Sequence, residues 1–328
     1  MSFPVERPRR LRIDSRLRNM VREVTVSACN LIYPLFVVEG LCEPHEISAM
    51  PGQMHWPVNR IHEPVLEAMQ NGVNAFILFG VPAKKDARGD SACDENSIVC
   101  QAIRHIRREC PTAYLITDVC LCAYTSHGHC GLLDADGCVN NDCSIKQLAK
   151  MSLAHVLAGA DMVAPSDMMD GRISAIRTLL DQNGKVHVPI MSYSVKYASS
   201  FYGPFREAAG SAPGKGDRRS YQMDFAVARD ALTELRLDLE EGADILMVKP
   251  GLPYLDVLRQ ARDNFACPLA AYQVSGEYSM IKAAAEKGWV DERQIVIETL
   301  TAMRRAGADL ILTYFAPQAA RWLREELR

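Results

Sequence analysis

The sequence predicts an α/β fold, a single closed (β/α)8 TIM barrel preceded by an extended N-terminal arm. Three observations lead to this prediction. The 328 residues fit one large barrel. Eight short apolar runs alternate with longer amphipathic stretches. No linker or low-complexity segment divides the chain. We assign residues 1–28 to the arm, for subunit packing, and residues 29–328 to the barrel.

The predicted strands are rich in aliphatic and β-branched residues, as expected for parallel strands buried on both faces. They cover residues 31–39, 73–81, 113–122, 161–166, 188–197, 244–250, 268–276 and 309–317. Helix-like segments lie between them, at residues 61–72, 96–110, 146–159, 171–184, 224–242, 253–265 and 293–307. Gly-Ala-Asp precedes a strand at Gly159, Gly242 and Gly307. This triplet indicates repeated units, although similar residues join helices to strands in any α/β protein.

Composition and charge disfavour several classes of protein function. Seven arginines face two acids in residues 6–22, and apolar residues such as Leu11 and Ile13 interrupt them. We interpret this segment as a subunit-packing arm, with a solvated tail as the alternative. Nucleic-acid binding is disfavoured because the net charge is -3 and no second basic, aromatic surface exists. The N-terminus lacks the apolar stretch of a secretory signal, and no long apolar run suggests a membrane span. We therefore expect a cytoplasmic protein.

Three cysteines follow the third predicted strand in the segment DVCLCAYTSHGHCG. The active site of such a barrel lies at the C-terminal ends of its strands, so this segment reaches the mouth. Residues two apart share a strand face, and thiolates are strong zinc ligands. Cys120, Cys122 and Cys130 thus predict a zinc site with one open position, or else three buried packing residues. His127 and His129 are expected to form hydrogen bonds rather than ligate.

Two lysines end neighbouring strands, Lys249 in ILMVKPG and Lys196 in SYSVKYASS. Apolar surroundings and mutual repulsion lower the pKa of an amine, and a neutral lysine can attack a ketone to form an imine. Other polar residues at strand ends are Asp118, Ser166, Ser275 and Tyr314.

The irregular stretch 199–224 is long enough to be functional, and its aromatic and basic residues predict a lid over the site. Arg206, Arg218, Arg219 and Lys215 within it favour an anionic, carboxylate-bearing substrate. The residues alone thus indicate a Schiff-base lyase or aldolase-like enzyme. A class I aldolase without metal and a non-catalytic zinc-binding or assembly protein remain alternatives.

Several long segments resemble the porphobilinogen synthase (5-aminolevulinate dehydratase) family, in its bacterial zinc-type form. They are DVCLCAYTSHGHCG, SYSVKYASSFYGPFREAAGS, GDRRSYQMD, LMVKPG and YQVSGEYSM. The resemblance runs from about Leu11 to Tyr314 and implies a hydro-lyase of tetrapyrrole (haem) biosynthesis. Such an enzyme condenses two 5-aminolevulinate molecules to porphobilinogen with loss of two waters. The resemblance also implies a homo-octamer in which the arm embraces a neighbouring subunit.

The resemblance implies a role for each matching residue. Lys249 would form the Schiff base, Lys196 would be the second lysine, and Asp118 and Ser166 would orient the amine and shuttle protons. One substrate carboxylate would meet Arg206 and Arg218, and the other Ser275 and Tyr314. Further substrate contacts would come from Gln222, Tyr202, Phe205 and Tyr272. Cys120, Cys122 and Cys130 would bind catalytic Zn²⁺, and Glu234 an allosteric Mg²⁺ at a subunit interface.

Overall fold

The computed structural model describes residues 5–326. The strands are β1 Leu31–Val38, β2 His45–Glu46, β3 Met54–Trp56, β4 Ala75–Val81, β5 Tyr114–Val119, β6 Met162–Pro165, β7 Met191–Lys196, β8 Ile245–Lys249, β9 Leu269–Gln273 and β10 Leu310–Thr313. The helices are α1 Ser15–Met20, α2 His62–Gln70, α3 Ile98–Glu109, α4 Asn141–Ala158, α5 Arg172–Gln182, α6 Gly203–Ala208, α7 Asp230–Glu240, α8 Leu255–Asn264, α9 Ser275–Glu286, α10 Glu292–Ala306 and α11 Ala316–Glu326.

In the described part of the chain, eight parallel strands form the predicted barrel. Their order around the barrel is β6-β5-β4-β1-β10-β9-β8-β7. A parallel bridge between Val163 and Ile190, just before β7, joins the two ends of this order. The predicted fold class and all eight predicted strands are therefore confirmed, with the core of buried aliphatic side chains on both faces of the strands.

A small hairpin, β2–β3, was not predicted. It lies between β1 and α2, and β3 pairs in parallel with the end of β1, where Phe36 lies opposite His55. The strand β10 pairs with β1 only at Leu31 and Ile32. The hairpin therefore extends the sheet beside the outer half of β1, at the mouth of the barrel.

The last two predicted strands end earlier than expected, because helices α9 and α11 begin inside them. The Glu277 carboxylate accepts a hydrogen bond from the Val274 amide at 2.6 Å and so caps the start of α9. The Thr313 hydroxyl accepts one from the Phe315 amide at 3.1 Å and turns the chain after β10. Apolar residues at these turns are buried, so the sequence pattern did not distinguish them from strand.

The N-terminal segment is exposed along most of its length. Asp14 caps helix α1 by accepting a hydrogen bond from the Arg16 amide at 2.8 Å. The apolar side chains of Leu11, Ile13 and Met20 are 54%, 79% and 81% exposed. The division into arm and barrel stays a prediction. Across residues 5–326, no helix combines the length and apolarity needed to cross a membrane.

The three Gly-Ala-Asp triplets make the same contact. Each glycine ends a helix with a positive φ, 113° at Gly159, 106° at Gly242 and 129° at Gly307. Each aspartate then accepts a hydrogen bond from a backbone amide of the preceding barrel strand or the residue before it. The pairs are Asp161 with Leu115 at 2.7 Å, Asp244 with Ile190 at 2.8 Å, and Asp309 with Leu269 at 2.9 Å. The repeat therefore ties neighbouring strands in pairs.

We predict that Asp244→Ala lowers the free energy of unfolding by about 1–3 kcal/mol, because the buried Ile190 amide beside the barrel closure loses its partner. Urea unfolding followed by circular dichroism measures the change. Asp136→Ala, which removes an exposed loop carboxylate, is the control and should shift the free energy by less than about 0.5 kcal/mol. Equal stability of the two variants would contradict the assigned role of Asp244.

Candidate active site

Two lysines lie side by side at the mouth of the barrel. Lys196 ends β7, Lys249 ends β8, and the two residues are paired in the register of these strands. Their side chains are 5% and 4% exposed. The predicted neighbouring positions of the two amines are thus found, in a setting that excludes most water.

Aromatic rings surround the Lys249 amine. Its Nζ lies 4.4 Å from the ring centre of Tyr272, 5.0 Å from Tyr193, 5.1 Å from Phe205 and 5.2 Å from Tyr202. Burial, and then the nearby charge of Lys196, lower the pKa of Lys249 to about 7. A large fraction of this amine is therefore neutral at physiological pH.

Lys196 faces an acidic and polar group of residues. Its Nζ donates a hydrogen bond to the Ser166 carbonyl and lies 5.7 Å from the Tyr193 ring centre. The Asp118 carboxyl lies near Lys196. Burial raises the pKa of this carboxyl to about 6, although the charge of Lys196 and a hydrogen bond from Ser166 oppose this shift. The structure thus brings Asp118, Ser166 and Lys196 together at one side of the mouth.

The three cysteines form a compact, buried cluster. The sulfur atoms of Cys120, Cys122 and Cys130 all lie within 4.8 Å of one another, and those of Cys120 and Cys122 are 3.3 Å apart. Hydrogen bonds from Cys120 and Cys122 hold the pKa of the Cys130 thiol well below its usual value. Three sulfurs converging at this spacing fit a tetrahedral metal such as zinc, with one position left for another ligand.

The lid, residues 199–224, closes over this cluster with several polar atoms that have no partner. Arg218 donates to the Gly128 carbonyl at 2.9 Å and to the Ser211 carbonyl. The Nε atoms of Arg206 and Arg218 and both side-chain amide atoms of Gln222 are buried without a hydrogen-bond partner. Buried polar groups are rarely left unpaired, so these atoms indicate where a polar ligand binds.

The remaining predicted substrate residues come from the lid itself (Tyr202 and Phe205), from the ends of β9 and β10 (Tyr272 and Tyr314) and from α9 (Ser275). The Tyr272 and Tyr314 hydroxyls are 2.9 Å apart, and Tyr202 donates to the Lys249 carbonyl at 3.3 Å. Ser275 stands at the start of α9 and accepts a hydrogen bond from the Phe205 amide at 2.9 Å. The Ser275 hydroxyl therefore binds the lid backbone.

Sequence reasoning missed Tyr193 and Glu277. Tyr193 is fully buried, its hydroxyl has no hydrogen-bond partner, and its ring lies beside both lysines. The register of β7 shifts between Ser192 and Val195, which places Tyr193 and Lys196 on the same side. Burial raises the pKa of Glu277 to about 7, and its carboxylate accepts a bond from the Leu252 amide at 2.8 Å. The cap that Glu277 makes on the Val274 amide does not by itself indicate this second contact.

Glu234 lies apart from the cysteine cluster. It is half-buried on α7 and lines a surface groove with Asp170, Asp224 and Asp230. Within residues 5–326, the three cysteines are the only closely spaced group of three or more metal-ligating side chains. The predicted magnesium site at Glu234 therefore stays a prediction.

Comparison with known proteins finds relatives that match nearly the whole chain. The family model described as Delta-aminolevulinic acid dehydratase matches residues 5–322. Enzymes of that name from Halalkalibacterium halodurans and Bacillus subtilis are 52% and 49% identical, over 98% and 99% of this chain and 98% and 100% of theirs. The Toxoplasma gondii enzyme, solved with its product porphobilinogen, is 45% identical with a TM-score of 0.96, covering 98% of this chain and 92% of that one. The chain therefore belongs to the delta-aminolevulinic acid dehydratase family of hydro-lyases.

Proposed function

We propose that this protein condenses two 5-aminolevulinate molecules to porphobilinogen, with Lys249 as the residue that forms a Schiff base. The buried, largely neutral amine of Lys249 within its ring of aromatic side chains is the observation that carries this proposal. An ammonium group has no lone pair, whereas a neutral amine can attack the ketone carbon of the substrate.

The covalent step needs only groups that the site contains. The Lys249 nitrogen adds to the ketone to give a carbinolamine, which loses water to leave the imine. The aromatic side chains of Tyr272, Phe205 and Tyr202 keep bulk water from reversing this dehydration. The imine withdraws electrons from the adjacent carbon, which favours loss of a proton there and carbon–carbon bond formation.

Lys196, Asp118 and Ser166 serve the second substrate. A carboxyl with a pKa of about 6 can both accept and return a proton near neutral pH, which suits Asp118 for general acid–base catalysis. Lys196 keeps the pKa of Lys249 low by its charge, and once it has lost its proton its amine can attack the second ketone.

Two different groups receive the two substrate carboxylates. The unpartnered nitrogens of Arg206, Arg218 and Gln222 suit one carboxylate, because guanidinium and amide donors bind carboxylate oxygens. The hydroxyls of Ser275 and Tyr314 suit the other. Phe205, Tyr202 and Tyr272 form the apolar walls between them.

Cys120, Cys122 and Cys130 would hold a zinc ion. When bound there, zinc supplies a Lewis acid that polarises a substrate oxygen or nitrogen beside Asp118. Mg²⁺ at Glu234 would be allosteric and would involve a second subunit.

We also propose that the exposed arm packs on neighbouring subunits in a homo-octamer, since its apolar side chains are uncovered in one chain, and that the enzyme is cytoplasmic.

We predict that Lys249→Met lowers porphobilinogen formation more than about 1,000-fold, because the covalent intermediate cannot form. Borohydride reduction in the presence of 5-aminolevulinate, followed by peptide mass mapping, should label Lys249 in the unmodified protein and nothing at that peptide in the variant. Lys146→Met removes an exposed lysine on α4 and serves as the control with normal activity. Retained turnover by Lys249→Met would overturn the proposal.

The pH dependence of trapping tests the state of the amine. The protonated form is unreactive, so the rate of imine formation should fall at acidic pH, rise as pH increases, and reach half its maximum near pH 7. Single-turnover borohydride trapping at a series of pH values measures this profile. A midpoint close to 10.5, the ordinary lysine value, would show that Lys249 is solvated and protonated.

Removing one sulfur should weaken the metal site. We predict that Cys122→Ala lowers zinc affinity more than about 100-fold, beyond the loss expected for a residue that only supports a ligand, and lowers activity with it. Zinc content after dialysis against a weak chelator measures the effect, with Cys138→Ala, an exposed cysteine, as control. Full activity after complete metal removal would instead favour a class I aldolase mechanism.

A further inference from the structure

The C-terminal end of helix α6 receives hydrogen bonds from side chains of strand β3 and of the loop after β4. The last carbonyls of a helix lack partners within it and need donors from elsewhere. The His55 Nε2 donates to the Ala208 carbonyl at 2.6 Å, and the Lys85 ammonium donates to the Gly210 carbonyl just beyond the helix. Ser48 adds a hydrogen bond of 2.5 Å to the Glu207 carboxylate.

Helix α6 carries two groups of the proposed active site. The Phe205 ring covers the Lys249 amine, 5.1 Å away, and packs edge-on against Phe79 at 5.1 Å. Arg206, next in the chain, presents its unpartnered Nε to the site. A shift of this short helix would therefore uncover the amine and displace a donor for the substrate carboxylate.

The N-terminal part of helix α6 and the residues just before it are held by different contacts. Ser275 accepts a hydrogen bond from the Phe205 amide at 2.9 Å and donates one to the Phe201 carbonyl at 3.3 Å. A Cβ atom on Gly276 would lie 2.5 Å from the Phe201 carbonyl oxygen, so helix α9 touches the lid backbone there. The C-terminal end of α6 receives hydrogen bonds from side chains, and the chain beyond it packs on backbone again where the Ala212 carbonyl lies against Gly128.

Both donors, His55 and Lys85, are partly buried. His55 lies on β3, half-buried, with its ring edge-on to Phe36 at 6.1 Å. Phe36 in turn stacks on Phe79 at 5.5 Å. Lys85 is in the loop after β4 and is partly buried, whereas its neighbour Lys84 is exposed. The hairpin and this loop thus connect the lid to the first two strands of the barrel.

We propose that His55 and Lys85 are positioning residues that latch α6 over the active site and so set the affinity for 5-aminolevulinate. This inference rests on the proposed function, because it assigns the effect to Phe205 and Arg206 in substrate binding. Neither latch residue is itself assigned a contact with substrate.

The test compares two latch variants with matched controls. Lys85→Met and His55→Phe keep side-chain bulk but remove the donors. Each should raise KM for 5-aminolevulinate about threefold to tenfold, the effect of one lost hydrogen bond, while kcat stays within about twofold. His55→Gln restores a donor and should recover most of the affinity. The controls, Lys84→Met and His187→Phe, alter exposed side chains of the same two residue types and should match the unmodified enzyme.

Protease susceptibility is a second measurement, and it reports the local opening of α6 directly. Trypsin cleavage after Arg206, the basic residue of α6, followed by mass spectrometry, should be faster in both latch variants than in the controls. Unchanged KM and cleavage rates in both variants would overturn the latch, as would a loss of kcat alone that His55→Gln does not rescue. Failure of the proposed function is distinct, because the unmodified enzyme would then show no borohydride trapping.

Discussion

The burial of two amines next to each other is the constraint on which the site depends. A lysine loses stabilisation of its charged form when water is removed, and a second cation nearby increases that loss. Strands β7 and β8 impose both conditions, because Lys196 and Lys249 are paired in register at their ends. Parallel strands in a closed barrel bring their last residues to one mouth. The fold therefore supplies the reactive state of Lys249 through geometry, before any substrate binds.

Exclusion of water requires a cover, which comes from parts of the chain far apart in sequence. Phe205 and Tyr202 belong to the lid, Tyr272 to β9 and Tyr193 to β7. Each ring is held by its own element, so the low pKa of Lys249 depends on the lid being in place. The same cover also carries Arg206, so in the proposed mechanism the side chain that binds a substrate carboxylate is held together with the side chains that exclude water.

The sequence was sufficient for the barrel strands and for the cysteine cluster, and insufficient where local structure departs from simple periodicity. The strands were predictable because parallel strands buried on both faces are continuous apolar runs. The cluster was predictable because Cys120 and Cys122 are two residues apart and Cys130 returns within the same loop. Tyr193 was missed because the irregularity in β7 changes which residues face inward. The β2–β3 hairpin was missed because β2 is two residues long and exposed, and β3 is three residues long and only partly buried.

Arg218 shows that the cysteine loop and the lid form one structural unit. Its guanidinium binds the Gly128 carbonyl in the cysteine loop and the Ser211 carbonyl in the lid. A side chain at Gly128, where φ is 74°, would collide with the Ala212 carbonyl, so only glycine permits this approach. The Gly214 amide also donates to the His127 carbonyl at 3.0 Å. Because the Gly128 and Gly214 contacts are between backbone groups, the position of the lid's second half follows from the conformation of the loop that carries Cys122 and Cys130. The conformation of the cysteine loop thus also determines the positions of Arg218 and Gln222, so the proposed metal site and the proposed carboxylate site belong to one structural unit.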